Sequence, residues 1–150
     1  MNGLKYTNPN ATYLTTFTGN QDDAVLSKKV AQAEINAGAD IIFTMLNNAR
    51  IGVTEANRES GTYQIGNVRD YYADAPDVYI GSAISDAGQT VYTAIKDLTE
   101  RKWKAGVVVK IGASNTDAVR LALSPTVSKE IEDTMLELSK KSLMEKLKFP

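Results

Sequence analysis

The run from Thr16 to Phe43 reads as strand, polar turn, helix, strand, and that order restricts the chain to an α/β fold. Thr-Phe-Thr at 16–18 leads into Gly19, Asn20, Gln21, Asp22 and Asp23. An amphipathic run follows, with Leu26, Val30, Ala33 and Ala37 at helical spacing. Gly38 can close that helix in a left-handed conformation, and the apolar strand beginning at Asp40 follows at once. Strands joined through a helix run parallel with a right-handed crossover, so their carboxyl ends share one rim. Ligands of open α/β sheets sit at that rim.

The same reading extends along the chain. A first strand is expected at Tyr13 to Phe17, and a helix from about Asp22 to Ala37 with Asn20 or Asp22 as its cap. A second strand is expected from Asp40 to Met45, apolar enough to be covered on both faces. Asn47 or Asn48 is expected to cap a second helix, which reaches Ser60 and stops at Gly61. Strands at Thr62 to Gly66 and Val78 to Ile84 flank a polar loop with Tyr71 and Tyr72. A helix starting near Asp86 carries Val91, Ala94, Ile95 and Leu98 on one side. Gly106 to Ile111 is expected as a fifth strand, and Gly112 to Ser124 as loop with room for a short element. A tail helix is expected over about residues 125–147. The expected class is α/β, a Rossmann-like or flavodoxin-like parallel sheet with helices on both faces, and a chain of 150 residues holds one such domain.

Composition removes several functions. With 17 basic and 18 acidic residues the chain has no overall basic field to draw it to nucleic acid. The local excess at Lys140, Lys141, Lys146 and Lys148 reads as a solvated helix face. No apolar run is long enough to span a bilayer. The first twenty residues carry no apolar leader core and no lipid-attachment cysteine, so no export signal is expected within the chain as given. The absence of Cys and His removes disulfides, thiolate or imidazole metal sites and histidine-based catalytic pairs. Neither an enzyme, a bound metal nor a cofactor is expected.

The residues that follow the expected strands are Gly19 to Asp23; Asn47, Asn48 and Arg50; Asn67, Arg69, Asp70 and Tyr71; and Ser82 and Ser85. Amides, carboxylates and hydroxyls dominate, groups that hydrogen-bond a small polar molecule, while tyrosine can stack on a flat one. The alternative for each is local: Asp, Asn and Ser also cap helices and make turns. Asp22 and Asp23 can be read as paired carboxylates for acid–base work or a divalent cation, but a helix N-terminus accounts for at least one of them. Gly-Ala-Ser-Asn at 112–115 lacks phosphate-loop spacing.

These motifs resemble the basic membrane protein family of ABC-transporter substrate-binding lipoproteins. The matching segments are Phe17-Thr18-Gly19 to Asp23, Gly38 to Phe43, Gly52-Val53, Tyr63 to Gly66, and Ala75-Pro76-Asp77-Val78. The match continues through Ser82, Val91-Tyr92, Ala94-Ile95 and the closing Leu147 to Pro150. The resemblance implies one lobe, the second, of a two-lobed type I periplasmic-binding-protein fold that clamps a purine nucleoside, nucleobase or similar small polar metabolite. It implies an absent first lobe, an ABC permease as partner, an extracytoplasmic lipid-anchored parent protein, and an exposed cleft face through which the lobe can dimerise. The chain is then expected to be a cut-down piece of a longer protein or a stand-alone lobe.

Carried over by position, the implied ligand-binding residues are Asn20, Gln21, Asp23, Asn47, Asn48, Asp70, Ser82 and Ser85. Asp23 and Asp70 keep the family's aspartates. Gln21 stands where the family has a stacking aromatic, Asn47-Asn48 where it has Gly-Gly, Val68 where it has an aspartate for ribose hydroxyls, and Ser85 where it has lysine. Losing the partner of a hydroxyl costs several kcal/mol in a site built for it, so the ordinary ribonucleoside is not the only ligand in view. Two other readings stay open. One is a regulatory relative without transport function. The other is a phospho-accepting receiver domain, with Asp22-Asp23, Asp70, Ser82 and Lys110 at its site.

Overall fold

The computed structural model describes residues 2–143. The elements run α1 (Asn2–Thr7), α2 (Ala24–Asn36), β1 (Ile41–Phe43), α3 (Arg50–Ser60), β2 (Tyr63–Val68), a single 3₁₀ turn (Tyr72–Asp74), β3 (Tyr79–Ser85), α4 (Ala87–Thr99), β4 (Val119–Leu123) and α5 (Lys129–Leu143). The strands form one sheet in the order β1-β2-β3-β4. The first three are parallel and β4 runs antiparallel to β3. The α/β class is as expected. Residues 144–147 of the expected tail helix and the closing Leu147 to Pro150 lie outside the described residues.

Two expected strands do not form. Tyr13 to Phe17 forms no ladder, and Phe17 is 93% exposed. A segment forms a strand only when a neighbour takes up its backbone groups, and no described residue pairs with this one. Gly106 to Ile111 likewise joins no ladder among the described residues: Gly106 sits in a turn at φ 75°, and Val107, Val108 and Val109 are exposed. The edge of β3 is taken instead by Val119–Leu123, so the sheet is mixed rather than wholly parallel.

Gln64 explains how one sheet face meets its helices. Ile42, Gln64 and Tyr79 are neighbours in register, all buried, and face α2 and α3. Gln64 Oε1 accepts from Thr54 Oγ1 at 2.8 Å, and its Nε2 donates to Thr44 Oγ1 at 3.2 Å, so the buried carboxamide is satisfied. Thr54 Oγ1 also lies 3.2 Å from the Tyr79 hydroxyl, whose pKa burial pushes up. Ile42 joins Ala31, Val53 and Ala56 in one apolar cluster. On the opposite face Ile41, Phe43 and Tyr63 are about half exposed, and no residue of α4 is buried although its apolar side carries Val91, Ile95 and Leu98.

The α2–α3 contact is close because position 52 is glycine. A Cβ there would fall inside the carbonyl oxygen of Ala24 and 2.7 Å from Ser27 Oγ. Gly61 closes α3 at φ 66°, as read from the sequence. Arg58 at the end of α3 grips Asp77 with two bonds, 2.6 and 3.1 Å, and holds that carboxyl below its usual range. The pair is exposed, so its contribution is small, and it fades as pH falls through the lowered Asp77 value.

Candidate functional site

Three segments meet at the carboxyl end of β1 and β2. The turn before α2 is tied to the loop after β1 by its own backbone: Asn47 N–H and Ala49 N–H both donate to the Gln21 carbonyl at 3.1 Å. Asn48 N–H donates to Asp22 Oδ1 at 3.3 Å. Beneath them the buried Ser27 hydroxyl donates to the Ala49 carbonyl at 2.5 Å, locking α2 to the start of α3. The third segment leaves β2 at Val68 and turns at Tyr71.

These segments enclose an open cavity of about 560 Å³, lined by Gln21, Met45, Leu46, Asn47, Asn48, Arg50, Asn67, Val68, Arg69 and Tyr71. The ring of Tyr71, itself buried, is part of that lining. It stacks on Tyr79 with centroids 5.5 Å apart, and the Arg50 and Arg69 guanidinium carbons lie 3.9 and 4.1 Å from its centroid. A second concavity of about 240 Å³ shares Val68 and Arg69 with the first and adds Asp70, Ile84, Ser85, Asp86, Ala87 and Arg120.

The structure places the eight expected residues differently. Asp23 is the N-cap of α2, accepting from Leu26 N–H at 2.9 Å, a role expected of Asn20 or Asp22. Asn20 Oδ1 is spent within the turn on Asp22 N–H. Neither residue lines either of these two cavities. Asn47 and Asn48 were expected to cap α3, yet the cap is Ala49 with no side-chain bond, and the two asparagines serve the first turn through their carbonyls alone. Their carboxamides and that of Gln21 have no hydrogen-bond partner among the described residues, and all three face the first cavity.

Asp70 and Ser85 sit in the second concavity. Asp70 Oδ1 accepts from Tyr72 N–H at 3.0 Å. Ser82 is fully buried, lines neither cavity, and holds the loop by accepting from Tyr71 N–H at 3.2 Å. Of the eight expected residues the structure gathers Gln21, Asn47 and Asn48 in one cavity and Asp70 and Ser85 in the next. Arg50, Asn67, Arg69 and Tyr71 belong to the same rim and were read there, but not among the eight. Their signal was position alone. Val68 was singled out only as a departure from the family's aspartate, and Met45 and Leu46 carried no signal.

Val68 has φ 73°, a left-handed conformation that a β-branched side chain adopts only under strain. Val68→Gly is therefore expected to raise stability by about 1 kcal/mol, after the added freedom of the unfolded chain is subtracted. The urea midpoint at unchanged slope measures it.

A sequence model of the Bmp family, described as ABC transporter substrate-binding protein PnrA-like, matches residues 1–150. The chain belongs to this family. Basic membrane protein B of Borreliella burgdorferi is 29% identical over 114 residues, 73% of this chain and 33% of that protein. In fold, this Bmp-family chain is similar to a transcriptional activator of the comK gene from Bacillus halodurans, with TM-score 0.83 and 19% identity over 99% of this chain and 51% of that one. It is also similar to an ABC transporter system solute-binding protein from Aeropyrum pernix K1, with TM-score 0.76 and 20% identity over 99% and 51%. The chain thus spans about a third of the curated relative and half of each solved chain. Membership of a binding-protein family sets aside the receiver-domain reading.

Proposed function

We propose that this chain supplies one wall of the solute site of a Bmp-family substrate-binding protein, with a second lobe closing over it. The single observation that supports this most is the set of three carboxamides without partners among the described residues, Gln21, Asn47 and Asn48, gathered on one cavity at the carboxyl ends of the parallel strands β1 and β2. Each carboxamide offers donors and an acceptor, which suits a small polar metabolite such as a nucleobase or nucleoside. Closure of two lobes then couples occupancy to docking on an ABC permease outside the cytoplasm. The site binds; no chemical step is assigned to it. Among the described residues no helix is long and apolar enough to cross a membrane.

The test is thermal stabilisation of the chain at its full natural length by a panel of nucleosides, nucleobases and small polar metabolites. A binder present at a hundred times its Kd is expected to add about 2.7 kcal/mol. Asn48→Leu keeps the volume, removes the polar contacts, and is expected to weaken that binder at least about tenfold. A panel without a single stabilising member sinks the proposal.

A regulatory role is the second reading, favoured by the TM-score of 0.83 to the comK activator. It keeps the same site and changes the partner. Deleting the gene is then expected to alter transcription while uptake of the bound solute is unchanged.

A further inference from the structure

We propose that the solute carries an anionic group, a carboxylate or a phosphate, and that Arg50 seats it. This rests on the solute-binding reading above and adds the charge of the ligand. The first cavity is lined by two guanidiniums and three asparagines, and by no carboxylate side chain. The two arginines differ in what neutralises them. Arg69 holds Asp74 at 2.5 Å, just as Arg58 elsewhere holds Asp77. Arg50 pairs with no carboxylate among the described residues.

What Arg50 does touch is neutral. One Nη2 donor goes to the Leu46 carbonyl at 2.6 Å and to Asn67 Oδ1 at 3.4 Å, and the guanidinium lies on the Tyr71 ring. Its Nε is buried with no hydrogen-bond partner. Asp22 reaches this loop only through Asn48 N–H, and it does not line the cavity. A guanidinium has five donors in a fixed fork that matches the two oxygens of a carboxylate or phosphate. Half-buried and without a counter-charge, it carries a desolvation cost in the empty site that an anion offsets on arrival. The Leu46 carbonyl and the Tyr71 ring hold the side chain in place beforehand, so little rotamer freedom is lost on binding.

Matched pairs test this by calorimetric titration of the chain at its full natural length: adenosine against adenosine 5′-monophosphate, and succinamide against succinate, with inorganic phosphate alone as a further arm. The two pairs separate a phosphate ligand from a carboxylate ligand. The charged member of at least one pair is expected to bind about ten to a hundred times more tightly than its neutral twin. That ratio is expected to shrink with added salt, to vanish in Arg50→Gln, and to survive in part in Arg50→Lys, which keeps the charge but not the fork. Equal binding within both pairs, or a ratio unmoved by Arg50→Gln, overturns the anionic assignment and leaves solute binding intact. No binding by any member also overturns the assignment, and solute binding is then decided by the wider panel.

Discussion

Gly52→Ala is expected to destabilise the chain by about 3 kcal/mol or more, although alanine is the better helix former by about 1 kcal/mol and the residue lies inside α3. The added methyl has nowhere to go. It would overlap the Ala24 carbonyl, a backbone atom of α2, and press on Ser27 Oγ at 2.7 Å. Relief requires α2 and α3 to move apart, which opens the cluster of Ala31, Ile42, Val53 and Ala56. It also pulls Ser27 from the Ala49 carbonyl, the bond that fixes the start of α3 beneath the cavity. For a domain of this size the melting temperature is expected to fall by about 6–12 °C, at about 2–4 °C per kcal/mol. A calorimetric scan of Gly52→Ala beside the parent chain measures this, and an unchanged or raised transition contradicts the packing described.

Tyr71→Ala is expected to cost about 3–5 kcal/mol, the range for removing a buried aromatic ring. The ring is 6% exposed, packs with Ala75, Val78 and Tyr79, and lies under two guanidiniums. Its loss leaves a void and removes the surface on which Arg50 rests. Tyr71→Phe keeps the ring and is expected to stay within about 1 kcal/mol of the parent. Denaturant titration of the two variants separates these outcomes. Equal loss in both would assign the stabilisation to the hydroxyl, against the geometry.

The parts of the fold that could be read from the chain are those set by local signals. Apolar residues at helical spacing mark α2, Gly38 and Gly61 mark its end and that of α3, and the runs at Ile41–Phe43 and Tyr79–Ser85 mark strands. Strand formation elsewhere depends on a partner. Tyr13 to Phe17 and Gly106 to Ile111 have the right residues and no strand partner among the described residues, while Val119–Leu123, within a stretch read as loop with room for a short element, has β3 beside it. The rim could be read for the same reason the strands could, since parallel order puts their ends together. Which rim residue is free could not. Asp23 and Asn48 look alike as cap candidates, and only the placement of Ala49 at the cap of α3 releases Asn47 and Asn48 toward the cavity. The lack of a counter-charge for Arg50 is likewise a fact of three dimensions.

We propose that a small polar solute rests on the carboxamides of Gln21, Asn47 and Asn48. Side-chain amide signals in ¹⁵N NMR, recorded while a binder from the panel is titrated in, test it most directly. The signals of these three residues are expected to move together and saturate at one Kd, while those of Asn57, buried in α3 and bonded to the Val53 carbonyl, stay in place. A ligand that binds and leaves all three unmoved would contradict it.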